Sequence, residues 1–155
     1  MGSSQWNIGP AADAAELVAA SGLFDNPVSE HGARAFLGMP GHHLLLARSG
    51  DGTAVGFVSG VEMRHPDKEA EMFVYELGVD GSFRQRGIAT ALLRALAALG
   101  LELGCTGMWT GTERANAAAL ATYRSLGAVV DAESVFVEWD SLGASFATLK
   151  APDKP

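Results

Sequence analysis

Glu71-Met72-Phe73-Val74-Tyr75-Glu76-Leu77-Gly78-Val79 runs into Asp80-Gly81-Ser82-Phe83-Arg84-Gln85-Arg86-Gly87-Ile88-Ala89-Thr90, and the reading of this stretch decides the fold. The first half is rich in aromatic and β-branched residues and alternates as a strand does. Regular alternation puts Phe73, Tyr75, Leu77 and Val79 on one face and Val74, Glu76 and Gly78 on the other. Gly78 inside a strand suggests a bulge, or a surface that something approaches closely. The second half changes period. From Gly87 to about Leu103, Ile88, Leu92, Leu96, Leu99 and Leu103 form the apolar stripe of a helix that Gly104 ends. Between strand and helix lies a loop carrying Arg84, Arg86 and Gly87. A helix start offers unpaired amide N–H groups and the positive end of its dipole, so it favours an anion. Gly87 lets a phosphate come close to the backbone, Ala89 keeps the helix surface low, and the two arginines add charge. The glycine-lysine pattern of a nucleotide P-loop and the three-glycine dinucleotide fingerprint are both missing. On its own, the loop also fits an ordinary strand-to-helix turn with solvated arginines.

Outward from this stretch the elements follow in a clear order. A short strand is expected near Trp6 to Ile8 and a helix over Ala11 to Leu23. Asn26-Pro27 breaks the chain, and Ser29 caps a second helix through about Leu37. His42 to Arg48 and Ala54 to Met63 form a hairpin about the Ser49-Gly50-Asp51-Gly52 turn. After the long helix come a strand over Gly107 to Gly111 and a helix over Ala115 to Leu126, ended by Gly127. A final strand region begins at Val129 and Val130 and continues from Ser134 to Trp139. The expected fold is α/β (α+β): a mixed, mostly antiparallel sheet flanked by about four helices, with a splay or bulge in the fourth strand. Residues 1–4 read as an expression remnant, 5–142 as a single domain and 143–155 as a C-terminal tail.

Composition narrows the function. The 155 residues carry a formal net charge of -7, with hydrophobic residues at 48% and charged residues at 19%. Such a chain is globular, and it is a poor candidate for nucleic acid or an anionic membrane. A cationic small molecule suits it better. No segment is apolar for long enough to span a bilayer. Cys105 is the single cysteine, so no intrachain disulfide forms, which is compatible with the cytoplasm. His31, His42, His43 and His65 do not cluster, and adjacent His42 and His43 point to opposite faces of a strand, so no metal site is expected.

Three motifs together resemble the GNAT superfamily of N-acetyltransferases. Arg84, Gly87 and Ala89 match its Arg/Gln-x-x-Gly-x-Gly/Ala loop. Asn116, Ala119 and Tyr123 match its Asn-x-x-Ala-x-x-Leu-Tyr helix, with Thr122 in place of the Leu. Ser125-Leu126-Gly127-Ala128 resembles the helix-ending Gly-Phe, with Ala for Phe. The resemblance implies acetyl-CoA as the donor and coenzyme A as a product. Backbone groups of Leu77, Gly78 and Val79 would pair with the pantetheine arm as an added strand. Amides of Gln85, Arg86, Gly87, Ile88, Ala89 and Thr90 would hold the pyrophosphate, with Asn116 at the pantetheine end and Tyr123 near the sulfur. Dimers are frequent in the family, so a homodimer is allowed for.

Acetyl transfer requires a neutral amine, a polarised thioester carbonyl and a stabilised leaving thiolate. The Val79 N–H is the candidate for the carbonyl, Tyr123 for the proton to sulfur, and Glu76 for the base. Glu113 and His65 are alternatives to Glu76. Residues 72–79 and 84–91 look most like the aminoglycoside 3-N-acetyltransferases. That resemblance implies a polycationic drug as acceptor and resistance by modification, with Glu76 and Glu113 on the substrate side; Tyr75 and Asp25 are further substrate-side candidates. The surplus acid at Glu62, Asp67, Glu69, Glu71 and Glu76 suits such a cation. A polyamine, a metabolite or peptide amine, and a non-catalytic acyl-CoA-binding module are the other readings.

Overall fold

The computed structural model describes residues 6–147. Five strands lie in sequence order: β1 (Asn7–Pro10), β2 (His42–Arg48), β3 (Ala54–Met63), β4 (Glu71–Val79) and β5 (Gly107–Trp109). β1 to β4 pair antiparallel and β4 pairs with β5 parallel. The helices are α1 (Ala14–Ala19), α2 (Glu30–Leu37), α3 (Ile88–Glu102), α4 (Ala117–Ser125) and α5 (Leu142–Phe146). This is the mixed α/β fold expected from the sequence.

Each sheet face is covered by its own helices. On one face the α3 stripe of Ile88, Leu92, Leu93 and Leu96 is buried against Val58, Met72 and Val74. Gly60 allows the close approach, since a Cβ there would stand 2.8 Å from Met72 Sδ and 2.9 Å from a Leu96 methyl. On the other face Ala14, Leu17 and Ala33 of α1 and α2 pack on Leu44, Leu46 and Phe57. α1 is pinned by a reciprocal cap. Asp13 accepts from the Glu16 amide, and Glu16 accepts from the Ala12 amide. Glu16 also takes two hydrogen bonds from Arg48 on β2, at 2.6 and 2.9 Å.

Four expectations are corrected. The facing of β4 reverses along its length. Ser59 pairs with Glu76 and Gly60 with Val74, so Tyr75 is an extra residue in a bulge. Beyond the bulge, Leu77 and Val79 pack on the α3 side with Val74. Glu76 and Gly78 line a cavity on the opposite side beside Phe57, and Tyr75 meets the Phe73 ring edge-on. The bulge therefore stands at Tyr75 rather than at Gly78.

The helix expected over Ala11 to Leu23 is split. α1 stops at Ala19 and a 3-10 turn spans Ser21–Leu23, where Ser21 Oγ accepts from the Val28 amide at 2.7 Å and folds the chain back. β5 ends at Trp109 instead of Gly111, because the Thr110 side chain turns to bond β4.

No strand forms at Val129–Val130 or over Ser134 to Trp139; among the described residues the sheet ends at β5. Asp131 accepts from the amides of Glu133 and Ser134 and diverts the backbone into a turn. The alternating side chains that follow, Val135 and Val137 among them, find no face to cover and stay exposed. A short helix, α5, begins at Leu142 under a Ser141 cap. The expected remnant at 1–4 lies outside the described residues.

Candidate active site

The C-terminal end of β4 is open along one edge. Pairing with β5 stops at Phe73 and Trp109, and Thr110 Oγ1 donates to the Val74 carbonyl at 2.9 Å where the strands part. The Glu76 amide donates to Ser59 Oγ and the Asp80 amide to the Val55 carbonyl, both toward β3. By the alternation of an antiparallel ladder, the backbone groups of Leu77 and Val79 turn to the open edge.

The loop after β4 presents amides. Asp80 caps a 3-10 turn over Gly81–Phe83 by accepting from the Ser82 amide at 2.8 Å. Gln85 then takes φ 58° and Gly87 φ 80°. Left-handed residues on either side of Arg86 curve the backbone into a concave run of N–H groups, and a positive φ on glutamine is costly enough to suggest a purpose. Gly87 is the N-cap of α3 and has no side-chain cap. The first amides of a 15-residue helix are therefore left to an outside acceptor. Ile88 itself is buried, so only its amide is on offer. Arg84 and Arg86 are exposed beside the loop; Arg84 Nε reaches the Val79 carbonyl at 3.4 Å and Arg86 lies over the Phe83 ring.

A cavity of about 510 Å3 opens beside this edge. Gly22, Leu23, Phe24 and Asp25 from the turn after α1 face Phe57, Glu76, Gly78 and Arg84. Phe24 stacks on Phe57 with centroids 4.1 Å apart, and this wall is why position 78 is glycine. A Cβ there would stand 2.7 Å from Phe57 Cε1 and 3.1 Å from the Leu23 carbonyl oxygen. Loss of water in the cavity, and then the charge of Asp25, hold the Glu76 carboxyl above the ordinary glutamate range. Two carboxylates from distant parts of the sequence thus share one cavity.

Tyr123, on α4, packs half-buried against the α3-side core. Burial raises its hydroxyl above the usual tyrosine value, and the Thr110 hydroxyl acts in the opposite direction. Asn116 is the N-cap of α4: its Oδ1 accepts from the Ala119 amide at 3.1 Å, leaving the NH2 as its donor group.

Other expected residues are not brought into the cavity. Glu113 is in the exposed loop before α4, where its carbonyl accepts from the Asn116 amide. His65 bonds Glu71 at 3.1 Å, and Tyr75 is 65% exposed and absent from the cavity wall. The acidic surplus shrinks as well, because Glu62 is paired with His43 and Arg64, and Glu71 with His65 and Lys68. Among the described residues no three His, Cys, Asp or Glu side chains are grouped to hold a metal, and no helix is long and apolar enough to cross a membrane. Cys105 is buried in the core. Thr110 was not singled out in the sequence; its signal is a hydroxyl directly after a very short strand.

The model of the acetyltransferase (GNAT) family matches residues 14–128. An L-2,4-diaminobutyric acid acetyltransferase of Streptomyces avermitilis is 35% identical over 74 residues, which is 47% of this chain and 40% of that protein. Its namesake in Streptomyces coelicolor is 38% identical over 52 residues, 34% of this chain and 29% of that protein. The chain thus spans well under half the length of the curated relatives it matches. Among solved structures, the aminoglycoside acetyltransferase meta-AAC0020 from an uncultured soil metagenomic sample, in complex with sisomicin, superposes with a TM-score of 0.78. It is 17% identical and the match covers 87% of this chain and 95% of that one. AAC(6')-Iy in complex with a bisubstrate analogue gives a TM-score of 0.73 at 21% identity, covering 89% and 100%. At these identities the likeness is one of fold.

Proposed function

The chain belongs to the acetyltransferase (GNAT) family, and from that premise we propose that it moves an acetyl group from acetyl-CoA to a primary amine of a cationic small molecule, in one ternary complex. The observation that carries this reading is the cavity in which Asp25 and Glu76 face the open end of β4. A pair of carboxylates there suits an acceptor with more than one ammonium group. Aminoglycosides fit that description, and the fold neighbours named for aminoglycosides support them. A diamino acid is the second reading, favoured by the two diaminobutyrate acetyltransferases.

The residues present fit the donor. The uncapped start of α3 and the left-handed turns at Gln85 and Gly87 offer amides to a pyrophosphate. The open edge at Leu77 and Val79 offers a strand-like partner to an amide-bearing arm. When bound, acetyl-CoA supplies an activated acetyl group as a thioester. Amides from Gln85 to Thr90 would hold the diphosphate, Arg84 and Arg86 would add charge, and the Asn116 NH2 would meet the pantetheine end. Ala119 keeps the α4 surface low beside it. Val79 N–H polarises the carbonyl. Glu76 takes the proton that the amine loses as the N–C bond forms, a role its raised pKa favours. Tyr123 gives its proton to the sulfur as the C–S bond breaks, and burial keeps that hydroxyl protonated at neutral pH.

Thiol release from acetyl-CoA is the test, with kanamycin- and gentamicin-type drugs, 2,4-diaminobutyrate and spermidine as acceptors. Release with the drugs and little with the other amines is expected. Release with diaminobutyrate alone would transfer the reading to the second acceptor, and release with none would leave only acyl-CoA binding. The position acetylated is the finer part. Likeness along β4 favours the 3-amino group, one fold neighbour is named for the 6' position, and NMR of the product decides between them.

A further inference from the structure

Ser59 is a polar residue buried on β3, only 3% exposed. Its Oγ accepts from the Glu76 amide at 3.1 Å, at the point where the β3–β4 register shifts. Leu44 of β2 pairs with Ser59 on the far side, so the hydroxyl is carried by a strand held along both edges. Ser59 and Gly60 pair with Glu76 and Val74 and leave Tyr75 as the extra residue. Before this bulge, Met72 and Val74 pack on the α3 side. Unbroken alternation would send Glu76 to that same side, toward Ile88 and Leu92, because a slip of one residue turns every following side chain over. An extra residue placed one position later would also return Glu76 to the α3 side. With the bulge at Tyr75, Glu76 instead lines the cavity with Asp25, Asp80 and Arg84.

We propose that Ser59 is the positioning residue for Glu76: its buried hydroxyl pins the β4 bulge at Tyr75 and so holds the Glu76 carboxyl in the acceptor cavity. This rests on the reading of Glu76 as the base. Ser59 is absent from the cavity wall and acts only through the Glu76 backbone. Take the hydroxyl away and the Glu76 amide loses its side-chain acceptor. The extra residue is then free to shift along β4, and the carboxyl spends less time among Asp25, Asp80 and Arg84. Gly78, by contrast, keeps its room for the cavity wall whatever stands at position 59, since its close neighbours are Phe57 and the Leu23 carbonyl.

Carbon-13 NMR of glutamate carboxyls follows the Glu76 titration without any substrate, its signal assigned by its loss in Glu76→Gln. Desolvation and Asp25 hold that titration above the ordinary glutamate range. Ser59→Ala should therefore move it to lower pH, as the carboxyl gains water and leaves Asp25. Ser59→Cys keeps the size with a weaker acceptor and should fall between Ala and wild type. Thiol release is then measured with the best-used amine among kanamycin, gentamicin, 2,4-diaminobutyrate and spermidine. Ser59→Ala should lower kcat about three- to tenfold, the scale of one lost hydrogen bond, with KM for acetyl-CoA unchanged. In a Glu76→Gln background it should cost nothing further. An unmoved titration in both Ser59 variants, or the same loss with and without the Glu76 carboxylate, overturns the proposal. Full turnover in Glu76→Gln, or none with any of the four amines in the wild type, would overturn the base reading and this proposal with it. An impaired Glu76→Gln beside a harmless Ser59→Ala would overturn only the role of Ser59.

Discussion

On one flank of β4 the site is made of backbone. Gln85 and Gly87 take positive φ, α3 begins without a cap, and Leu77 and Val79 present an unpaired edge. On the other flank it is made of side chains, with Asp25 carried by the turn after α1, Glu76 by β4, and a wall of Phe24 on Phe57. The two flanks respond differently to substitution. A backbone site tolerates side-chain change except where φ is positive, and it recognises groups that every donor molecule shares. A side-chain site is rewritten by single substitutions, and its charge decides which acceptor enters.

The comparison is broken most severely by removing the proposed base. Glu76→Gln should lower kcat by roughly a hundredfold or more, the scale of general base catalysis, while acetyl-CoA affinity stays as it was. Stopped-flow thiol release and a donor titration check the two halves. A loss of donor affinity would show that the flanks are not separable.

A subtler substitution sharpens the same flank. Asp25→Asn removes a negative charge beside Glu76, so the Glu76 pKa should fall toward the ordinary glutamate value. With Glu76 as the proposed base, activity should rise with pH as it loses its proton, so the acidic limb of the kcat/KM profile should move to lower pH. KM for a polycationic acceptor should also rise, and added salt should weaken its dependence on charge. An unmoved limb would place the base elsewhere.

The smallest effect lies outside both flanks. Glu16 is held below its ordinary pKa chiefly by the hydrogen bonds from Arg48, and this pair ties α1 to β2. A depressed carboxylate contributes stability that is complete above its unfolded value near 4.5. That contribution is lost as pH falls through the folded value. Glu16→Gln should cost roughly 2 kcal/mol at neutral pH and flatten the acid side of the stability curve. Urea denaturation between pH 3 and 7, on a scale of about that magnitude, measures it.

How far the sequence disclosed the molecule divides along the same line. The strand–loop–helix from Glu71 to Glu102 was legible because its information is local: alternation, then a glycine, then a 3.6-residue stripe. The bulge at Tyr75 was not. Its cause is Ser59 on β3, whose hydroxyl takes the Glu76 amide, and no local pattern on β4 signals that contact. Alternation alone also made Ser134 to Trp139 look like a strand, whereas the Asp131 turn leads that segment away from β5. Asp25 and Glu76 were each named, but their common cavity depends on the chain folding back after Ser21, a contact set by Val28 rather than by either carboxylate.

The separation of the two flanks is tested most directly by calorimetric titration of coenzyme A into two proteins, Gly87→Val and the double variant Asp25→Asn with Glu76→Gln. A Cβ at position 87 meets no neighbour within 4 Å, so the penalty there comes chiefly from φ 80°. It amounts to about 1–3 kcal/mol. Gly87→Val should therefore weaken coenzyme A binding roughly 5- to 150-fold, and the double variant should bind it as tightly as wild type. Undiminished binding by Gly87→Val, or a comparable loss in the double variant, would contradict a donor site made of backbone.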